Sequence, residues 1–169
     1  MSLFRHRASA AVVAAVSSVV LAAGCGGDEG GVDSWPEVDV EALDGAVVST
    51  ADLVGDRPLV VTLWAVWCQP CRREMPALQE IAAERAADVD VVGVNIGDDV
   101  DQVEEFLDEI AVTFPAYRDL DGLLLSRLGV PSVPATAVVL PNGELTWLHL
   151  GEASKAQVEA AIDDALVDG

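Results

Sequence analysis

The pattern of apolar positions divides the chain into alternating strand-like and helix-like segments. Residues 59–66 are almost entirely apolar, which is typical of a strand that is covered on both faces. Residues 72–82 instead carry apolar side chains at helical spacing, with Met75 and Leu78 on one face. The residues between these segments, 67–71, are therefore predicted to connect the end of a buried strand to the start of a helix.

Further segments of both kinds extend on either side. A loosely alternating stretch at 36–43 and the turn signal Asp44-Gly45 predict a leading hairpin. The first helix is predicted to start at residue 68 or 69 and to reach residue 87, with a kink at Pro76. The later predicted segments are a strand at 89–94, a helix at 100–110 behind Asp98, Asp99 and Asp101, an extended piece at 114–117, a short helix at 123–128, hairpin strands at 135–140 and 144–150, and a closing helix at 156–167. This order predicts an α/β fold.

Length and charge restrict the possible functions. The chain has 169 residues, 51% of them hydrophobic, which is enough for one domain with its own core. Its formal net charge is −20, and beyond residue 24 it carries 7 basic and 29 acidic residues. Phosphate binding needs clustered Lys and Arg, so nucleic acid is not an expected partner. The acidic residues predict a solvated surface, with a basic partner surface as the alternative.

Cys68 and Cys71 are the main candidates for chemistry. Residues three apart on a helix lie on one face, so the two sulfurs can form a disulfide or open to a dithiol. A helix N-terminus favours the thiolate of Cys68, which predicts that Cys68 attacks and Cys71 resolves the mixed disulfide. Taken alone, this spacing is also found in zinc sites, so the pair by itself does not decide between redox chemistry and metal binding.

Five short stretches, taken in order, resemble the thioredoxin superfamily, and within it the TlpA/ResA-like extracytoplasmic thiol-disulfide oxidoreductases. They are Trp67-Cys68-Gln69-Pro70-Cys71, Glu74-Met75-Pro76, Val94-Asn95-Ile96-Gly97, Thr113-Phe114-Pro115, and Gly129-Val130 before Val133-Pro134-Ala135-Thr136. The resemblance extends from about residue 35 to the C-terminus. It implies a thioredoxin-like sandwich, in which helices flank a central mixed sheet, with an N-terminal hairpin and an added central helix at 100–110. It implies no cofactor.

The resemblance also implies roles for residues around the cysteines. The Val133–Pro134 bond is expected to be cis, with Pro134 against the cysteine pair and the Val133 backbone free to pair with a substrate strand. Trp67 is expected to shape the surface around the disulfide. Glu74 matches a glutamate that influences cysteine reactivity in ResA-like proteins; alternatively, it is an acid in the first turn of the helix. Thr62 stands where thioredoxin has a buried aspartate, which leaves proton handling to Glu74 or water.

The N-terminus is typical of an export signal. Arg5, His6 and Arg7 precede an uncharged run at 8–23, which at 16 residues is shorter than a membrane span of about 20. The run leads into Leu21-Ala22-Ala23-Gly24-Cys25, which resembles a bacterial lipobox, although alanine stands three places before the cysteine, where leucine is commonest. These features predict a signal peptide at 1–24 and lipidation of Cys25.

Residues 25–35 are predicted to form the lipidated N-terminus and a flexible tether, because 26–34 are polar and Gly-rich. Residues 36–169 are predicted to form the thioredoxin-like domain. Lipid chains on such a tether hold a domain at a membrane surface, so the expected location is the outer face of the bacterial cell membrane. With Cys25 capped by lipid, the two remaining cysteines form a self-contained redox pair.

Two classes of function fit the cysteine pair. The first is a thiol-disulfide oxidoreductase that acts on client proteins outside the cytoplasm. The resemblance favours a reductant supplied by a membrane electron donor protein, with apocytochrome c as a candidate client, and leaves a disulfide-forming oxidant open. The second class is a copper carrier, but the related Sco-type carriers space their cysteines one residue further apart and add a downstream histidine, features that are missing here. A peroxiredoxin fits less well still, because its reactive cysteine lies in a threonine-containing loop.

Overall fold

The computed structural model describes residues 34–168, and one mixed sheet of seven strands forms the centre of this part of the chain. The strands are β1 (Asp39–Ala42), β2 (Val47–Ser49), β3 (Leu59–Trp64), β4 (Asp90–Asn95), β5 (Ala116–Arg118), β6 (Ala135–Val139) and β7 (Leu145–Leu150). The helices are α1 (Gln69–Glu84), α2 (Val100–Glu109), α3 (Leu123–Arg127) and α4 (Lys155–Asp168), with a 3-10 turn at Thr50–Leu53. The predicted signal peptide, Cys25 and the tether up to residue 33 lie outside the described residues.

The strands follow the order β2-β1-β5-β4-β3-β6-β7 across the sheet. Strands β3, β4 and β5 pair in parallel, and the remaining pairs are antiparallel. The predicted fold, a mixed sheet flanked by helices with a leading hairpin and an added helix, is therefore confirmed. None of the helices at 34–168 combines the length and the apolar character that crossing a bilayer requires.

The predicted elements are present, and the differences concern their ends. Helix α1 ends at Glu84, three residues earlier than predicted, and the N–H of Arg85 closes it on the carbonyl of Ile81 at 2.8 Å. Strand β5 begins at Ala116 rather than at residue 114, because the Phe114 N–H bonds a side chain of α1 instead of a strand. Pro76 lies inside α1, where the kink stays a prediction.

Strand β3 lies near the middle of the sheet, and its side chains enter a core on each face. All six of its residues are buried, which explains the lack of alternation at 59–66. Val60 and Trp64 pack on the face that α1, α2 and α4 cover. Val61 and Leu63 pack on the opposite face, with α3 and the leading hairpin. Because β3 is fixed on both faces, its C-terminal end is a rigid support for the loop that follows.

The added helix α2 is part of the main core. The rings of Trp64 and Phe106 stack with their centroids 4.9 Å apart. Gly93 of β4 leaves room for the indole, since a Cβ there would lie 2.8 Å from Trp64 Nε1 and 3.1 Å from Phe114 Cε2. Helix α2 is therefore tied to the end of the strand that leads into the cysteine pair.

Two residues directly before the predicted domain start at residue 36, Ser34 and Trp35, also contact the folded part of the chain. The side chain of Trp35 is buried, and its Nε1 donates a hydrogen bond to the Thr50 carbonyl at 3.0 Å. Its backbone N–H donates to the Gly143 carbonyl at 2.8 Å, and Ser34 forms a β-bridge with Glu144. The domain bounds of 36–169 stay a prediction, and burial of the indole fixes the chain to the sheet directly before residue 36.

Candidate active site

The cysteine pair lies between the end of β3 and the start of α1. After Trp64 the chain makes a turn that closes with a hydrogen bond from the Cys68 N–H to the Ala65 carbonyl at 3.0 Å. Cys68 is the N-cap of α1, and its Sγ accepts a hydrogen bond from the Cys71 N–H at 3.2 Å. The two sulfurs are bonded at 2.00 Å. The structure therefore brings the predicted redox pair together at the predicted place.

The two sulfurs differ in access. Cys68 keeps 3% of its surface exposed, whereas Cys71 keeps none. Trp67, which precedes Cys68, is 64% exposed and forms part of the surface beside the disulfide. A reactant that approaches the pair from solvent therefore reaches Cys68 before Cys71.

Pro134 and Val133 lie at the same end of the sheet, just before β6. The register that pairs Leu63 with Ala135 places Pro134 opposite the end of β3. The Val133–Pro134 peptide bond is cis, as the resemblance implies. Pro134 is buried and its carbonyl accepts a hydrogen bond from the Gly151 N–H at 2.9 Å. Val133 is half-buried, and its N–H and C=O form no hydrogen bond with any of the residues 34–168.

Glu74 is buried on α1, three residues and about one turn after Cys71. It is 2% exposed, and its Oε1 accepts a hydrogen bond from Thr136 Oγ1 at 2.5 Å. Thr62 is the register partner of Thr136 on β3, and its hydroxyl is buried as well. Glu74 Oε2 and Thr62 Oγ1 have no hydrogen-bond partner within the described part of the chain. Helix α1 starts at Gln69 and has no acidic residue in its first turn, so the alternative interpretation of Glu74 as a first-turn acid is wrong.

Burial raises the pKa of Glu74 to about 7. The hydrogen bond from Thr136 and the backbone of Ala153 lower this pKa, and the negative charge of Glu152 raises it further. Loss of hydration is the largest of these effects, because it disfavours the charged carboxylate. A carboxyl group with a pKa near neutrality can both accept and release a proton under physiological conditions.

The two arginines that follow Cys71 are already paired with acidic residues. Arg72 Nη1 lies 2.8 Å from Glu109 Oε1, and its guanidinium lies over the Phe106 ring at 4.6 Å from the centroid. Arg73 forms hydrogen bonds with both carboxylate oxygens of Glu152, the shortest of them at 2.5 Å. Both positive charges beside the cysteines are thus balanced by neighbouring carboxylates.

Asp98 contacts the turn before Cys68, whereas the sequence pattern predicts a place for it only at the start of the added helix. Its Oδ2 accepts hydrogen bonds from the Val66 N–H and from Asn95 Nδ2, both at 2.8 Å. Asp99, not Asp98, is the N-cap of α2. The only sequence signal was the match at Val94-Asn95-Ile96-Gly97, which contains the partner of Asp98 but not Asp98 itself.

His149 lies on β7 and packs on an aromatic side chain. The His149 ring stacks on Trp147 with the centroids 5.5 Å apart. Within 34–168, no group of three or more His, Cys, Asp or Glu side chains is arranged to hold a metal ion.

The chain is similar to known proteins in sequence and in structure. Residues 32–148 match the AhpC/TSA family. The thiol-disulfide oxidoreductase ResA of Oceanobacillus iheyensis is 31% identical over 125 residues, which are 73% of this chain and 65% of that protein. This chain thus spans slightly less than two thirds of the length of that ResA.

Two mycobacterial proteins match over more of their length. The soluble secreted antigen MPT53 of Mycobacterium tuberculosis is 31% identical over 150 residues, which are 88% of this chain and 86% of that protein. The structure of M. tuberculosis DsbF, solved in mixed oxidised and reduced forms, superposes with a TM-score of 0.67 at 29% identity. That match covers 76% of this chain and 94% of the DsbF chain.

Proposed function

This chain belongs to the AhpC/TSA family of thioredoxin-like proteins, and from that premise we propose that it reduces disulfide bonds in client proteins outside the cytoplasm. It is a thiol-disulfide oxidoreductase, and its clients are protein thiols and disulfides. The observation that carries the proposal is the bonded Cys68–Cys71 pair at the start of α1, with the exposed side at Cys68. Similarity to the secreted MPT53 supports a location outside the cytoplasm.

In the reducing direction the cycle starts from the dithiol. The thiolate of Cys68 attacks one sulfur of the client disulfide, which forms a mixed disulfide and releases the other client sulfur as a thiolate. Cys71 then loses its proton and attacks the Sγ of Cys68, which closes the protein disulfide and releases the second client sulfur. The client gains two electrons and two protons, and the protein loses the same number.

Glu74 is the group that we assign to accept the proton of Cys71. It lies three residues after Cys71 on the same buried face of α1. Thr136 holds Oε1, which leaves Oε2 free to take up the proton. The pKa of about 7 suits a general base that works near neutral pH.

Trp67, Val133 and Pro134 form the proposed client-binding surface. The exposed indole of Trp67 offers apolar contact beside the disulfide. The free N–H and C=O of Val133 can pair with an extended client segment, in the manner of strand addition to a sheet. The pairing stops at Pro134, which has no N–H and whose carbonyl already bonds Gly151.

The pairing of Arg72 and Arg73 with carboxylates supports the reducing direction. A thiolate without free positive charges beside it is less stable, and a less stable dithiol form has a lower reduction potential. The acidic surface also destabilises the thiolate and therefore lowers the reduction potential as well. The alternative is a disulfide-forming oxidant of exported proteins, which the hydrogen bond from the Cys71 N–H to Cys68 Sγ favours, because such a donor stabilises the thiolate.

We expect a reduction potential near thioredoxin's value of about −270 mV and far from DsbA's value of about −120 mV. Equilibration with dithiol–disulfide buffers of known potential measures it. The change Glu152→Gln frees the guanidinium of Arg73 from its ion pair and should raise the potential. Glu104→Gln is the matched control, since Glu104 is exposed and forms no ion pair within residues 34–168.

A potential close to that of DsbA would reverse the proposed direction and leave the exchange chemistry intact. If the two glutamine variants shift the potential equally, then general acidity rather than the pairing of Arg73 sets it.

Lipidation of Cys25 and anchoring to the outer face of the cell membrane are part of the proposal. The wild-type protein should fractionate with membranes and carry acyl chains on its N-terminal cysteine by mass spectrometry. Cys25→Ala should move the protein to the soluble fraction, because the site of acylation is lost. Cys68→Ser is the control, and it should stay with the membrane. Unmodified Cys25 in a soluble wild-type protein would contradict the anchor.

The partners follow from the same resemblance to TlpA/ResA-like proteins. A membrane electron donor protein is proposed to return electrons to the Cys68–Cys71 disulfide after each cycle. Apocytochrome c is the proposed candidate client, since its cysteines must be reduced before haem attachment. The similarity to the thiol-disulfide oxidoreductase ResA over 73% of this chain supports exchange with protein thiols and disulfides, the wider class to which this client belongs.

A further inference from the structure

We propose that Asp98 is a positioning residue for disulfide exchange, because its carboxylate holds the turn that presents Cys68 to the client. This inference rests on the proposed function, since it concerns the reaction of Cys68. The contact that carries it is the hydrogen bond from the Val66 N–H to Asp98 Oδ2 at 2.8 Å. Asp98 approaches the turn from the loop after β4, 32 residues further along the chain.

The turn has one closing bond of its own, from the Cys68 N–H to the Ala65 carbonyl at 3.0 Å. Val66 and Trp67 are its two central residues. The side chain of Trp67 is 64% exposed and gives the turn little support. The backbone of Val66 is therefore held from outside the turn by Asp98, and this bond fixes the direction in which the chain reaches Cys68.

Asp98 is itself held on two sides. Its N–H donates to Asn95 Oδ1 at 2.8 Å, and its Oδ2 accepts from Asn95 Nδ2 at the same distance. Asn95 is fully buried at the end of β4. The carbonyl of Asp98 accepts a hydrogen bond from Arg118 Nη1 at 3.3 Å, and Arg118 also pairs with Glu41 of the leading hairpin. Asp98 thus connects the turn to three strands of the sheet.

The exchange reaction depends on where the Cys68 sulfur is held. Hydrogen bonds from a backbone N–H to a carboxylate are among the stronger ones in proteins. While Val66 is fixed, Cys68 stays at the N-cap of α1, where its Sγ accepts the N–H of Cys71. Small displacements of a reacting atom cost up to about 100-fold in rate. Loss of the Asp98 carboxylate is therefore expected to slow exchange without removing any reacting group.

Asp99 provides a matched control in the neighbouring position. It is exposed, and as the N-cap of α2 it makes no side-chain hydrogen bond to the helix. Changing either aspartate to alanine removes one negative charge from the same loop. Only the change at Asp98 removes the support of the turn.

The test compares Asp98→Ala, Asp98→Asn and Asp99→Ala in the full chain. We expect Asp98→Ala to lower the rate of exchange with a disulfide peptide at least about tenfold in both directions. Asp98→Asn keeps an oxygen acceptor for the Val66 N–H and should recover most of the rate, and Asp99→Ala should match the wild type. Hydrogen exchange of the Val66 amide should become faster in Asp98→Ala only.

Wild-type exchange rates in Asp98→Ala, or equal losses in Asp98→Ala and Asp99→Ala, would overturn the positioning role. If Asp98→Ala does not fold, the test of the positioning role uses Asp98→Asn, in which both the hydrogen exchange of the Val66 amide and the rate of disulfide exchange are measured. A protected Val66 amide together with a near wild-type rate supports the role, and an exposed amide with an unchanged rate overturns it. A wild-type protein that exchanges no disulfide would refute the proposed function instead, so the two failures can be distinguished.

Discussion

Replacing Cys68 by serine should abolish disulfide exchange, and replacing Cys71 by serine should stop the reaction after its first step. Cys68 is the sulfur with residual exposure, and in the proposed cycle it forms the bond to the client. Cys71 is fully buried, and in the same cycle it acts only on the mixed disulfide. For Cys68→Ser we expect a loss of at least about 10³-fold, since catalytic nucleophiles are among the costliest residues to remove.

Reduction of a disulfide peptide by the dithiol form measures the loss, and non-reducing mass spectrometry detects the trapped adduct. Cys71→Ser should accumulate a covalent complex with the client through Cys68, whereas Cys68→Ser should form none. Cys25→Ser should react like the wild type, because the proposed exchange uses only Cys68 and Cys71. An adduct in Cys68→Ser but not in Cys71→Ser would show that the roles of the two cysteines are reversed.

The fold was predictable because its strongest signals are local. The apolar run of β3 and the helical period of α1 lie next to each other in the chain, so their junction at Cys68 follows from periodicity alone. The ends of the elements depend on distant partners and were less accurate. Strand β5 starts late because Gln79, on α1, binds the N–H groups of Thr113 and Phe114.

The site was predictable where it is continuous in sequence or where it matches a family motif. The cysteines lie three residues apart, and Pro134 was found through resemblance to a family. The partners of Arg73 and Asp98 lie 79 and 32 residues away, and no periodicity or spacing indicates them. Glu74 is an intermediate case. Its spacing from Cys71 was visible, but its burial depends on Thr136, 62 residues away on β6.

The free energy of unfolding of the oxidised protein should contain a term from Glu74 that falls as the pH rises from about 4.5 to about 7. Burial raises the pKa of Glu74 to about 7 from an ordinary value of 4.5, so the folded protein binds this proton more tightly than the unfolded chain. The stabilisation is therefore complete below about pH 4.5, is lost as the pH rises through 7, and stays lost above it. A shift of this size corresponds to about 3 kcal/mol.

Glu74→Gln isolates this term, because glutamine resembles the protonated carboxyl group and does not ionise. The variant and the wild type should be about equally stable near pH 4, and the variant should be more stable by up to about 3 kcal/mol near pH 8. Urea unfolding at a series of pH values measures both curves, and their difference cancels the titration of the other acidic residues. Glu104→Gln, at an exposed position, should run parallel to the wild type. Parallel curves for Glu74→Gln as well would mean that the buried carboxyl group ionises as readily as one in water, and the assignment of Glu74 as proton acceptor for Cys71 would lose its physical basis.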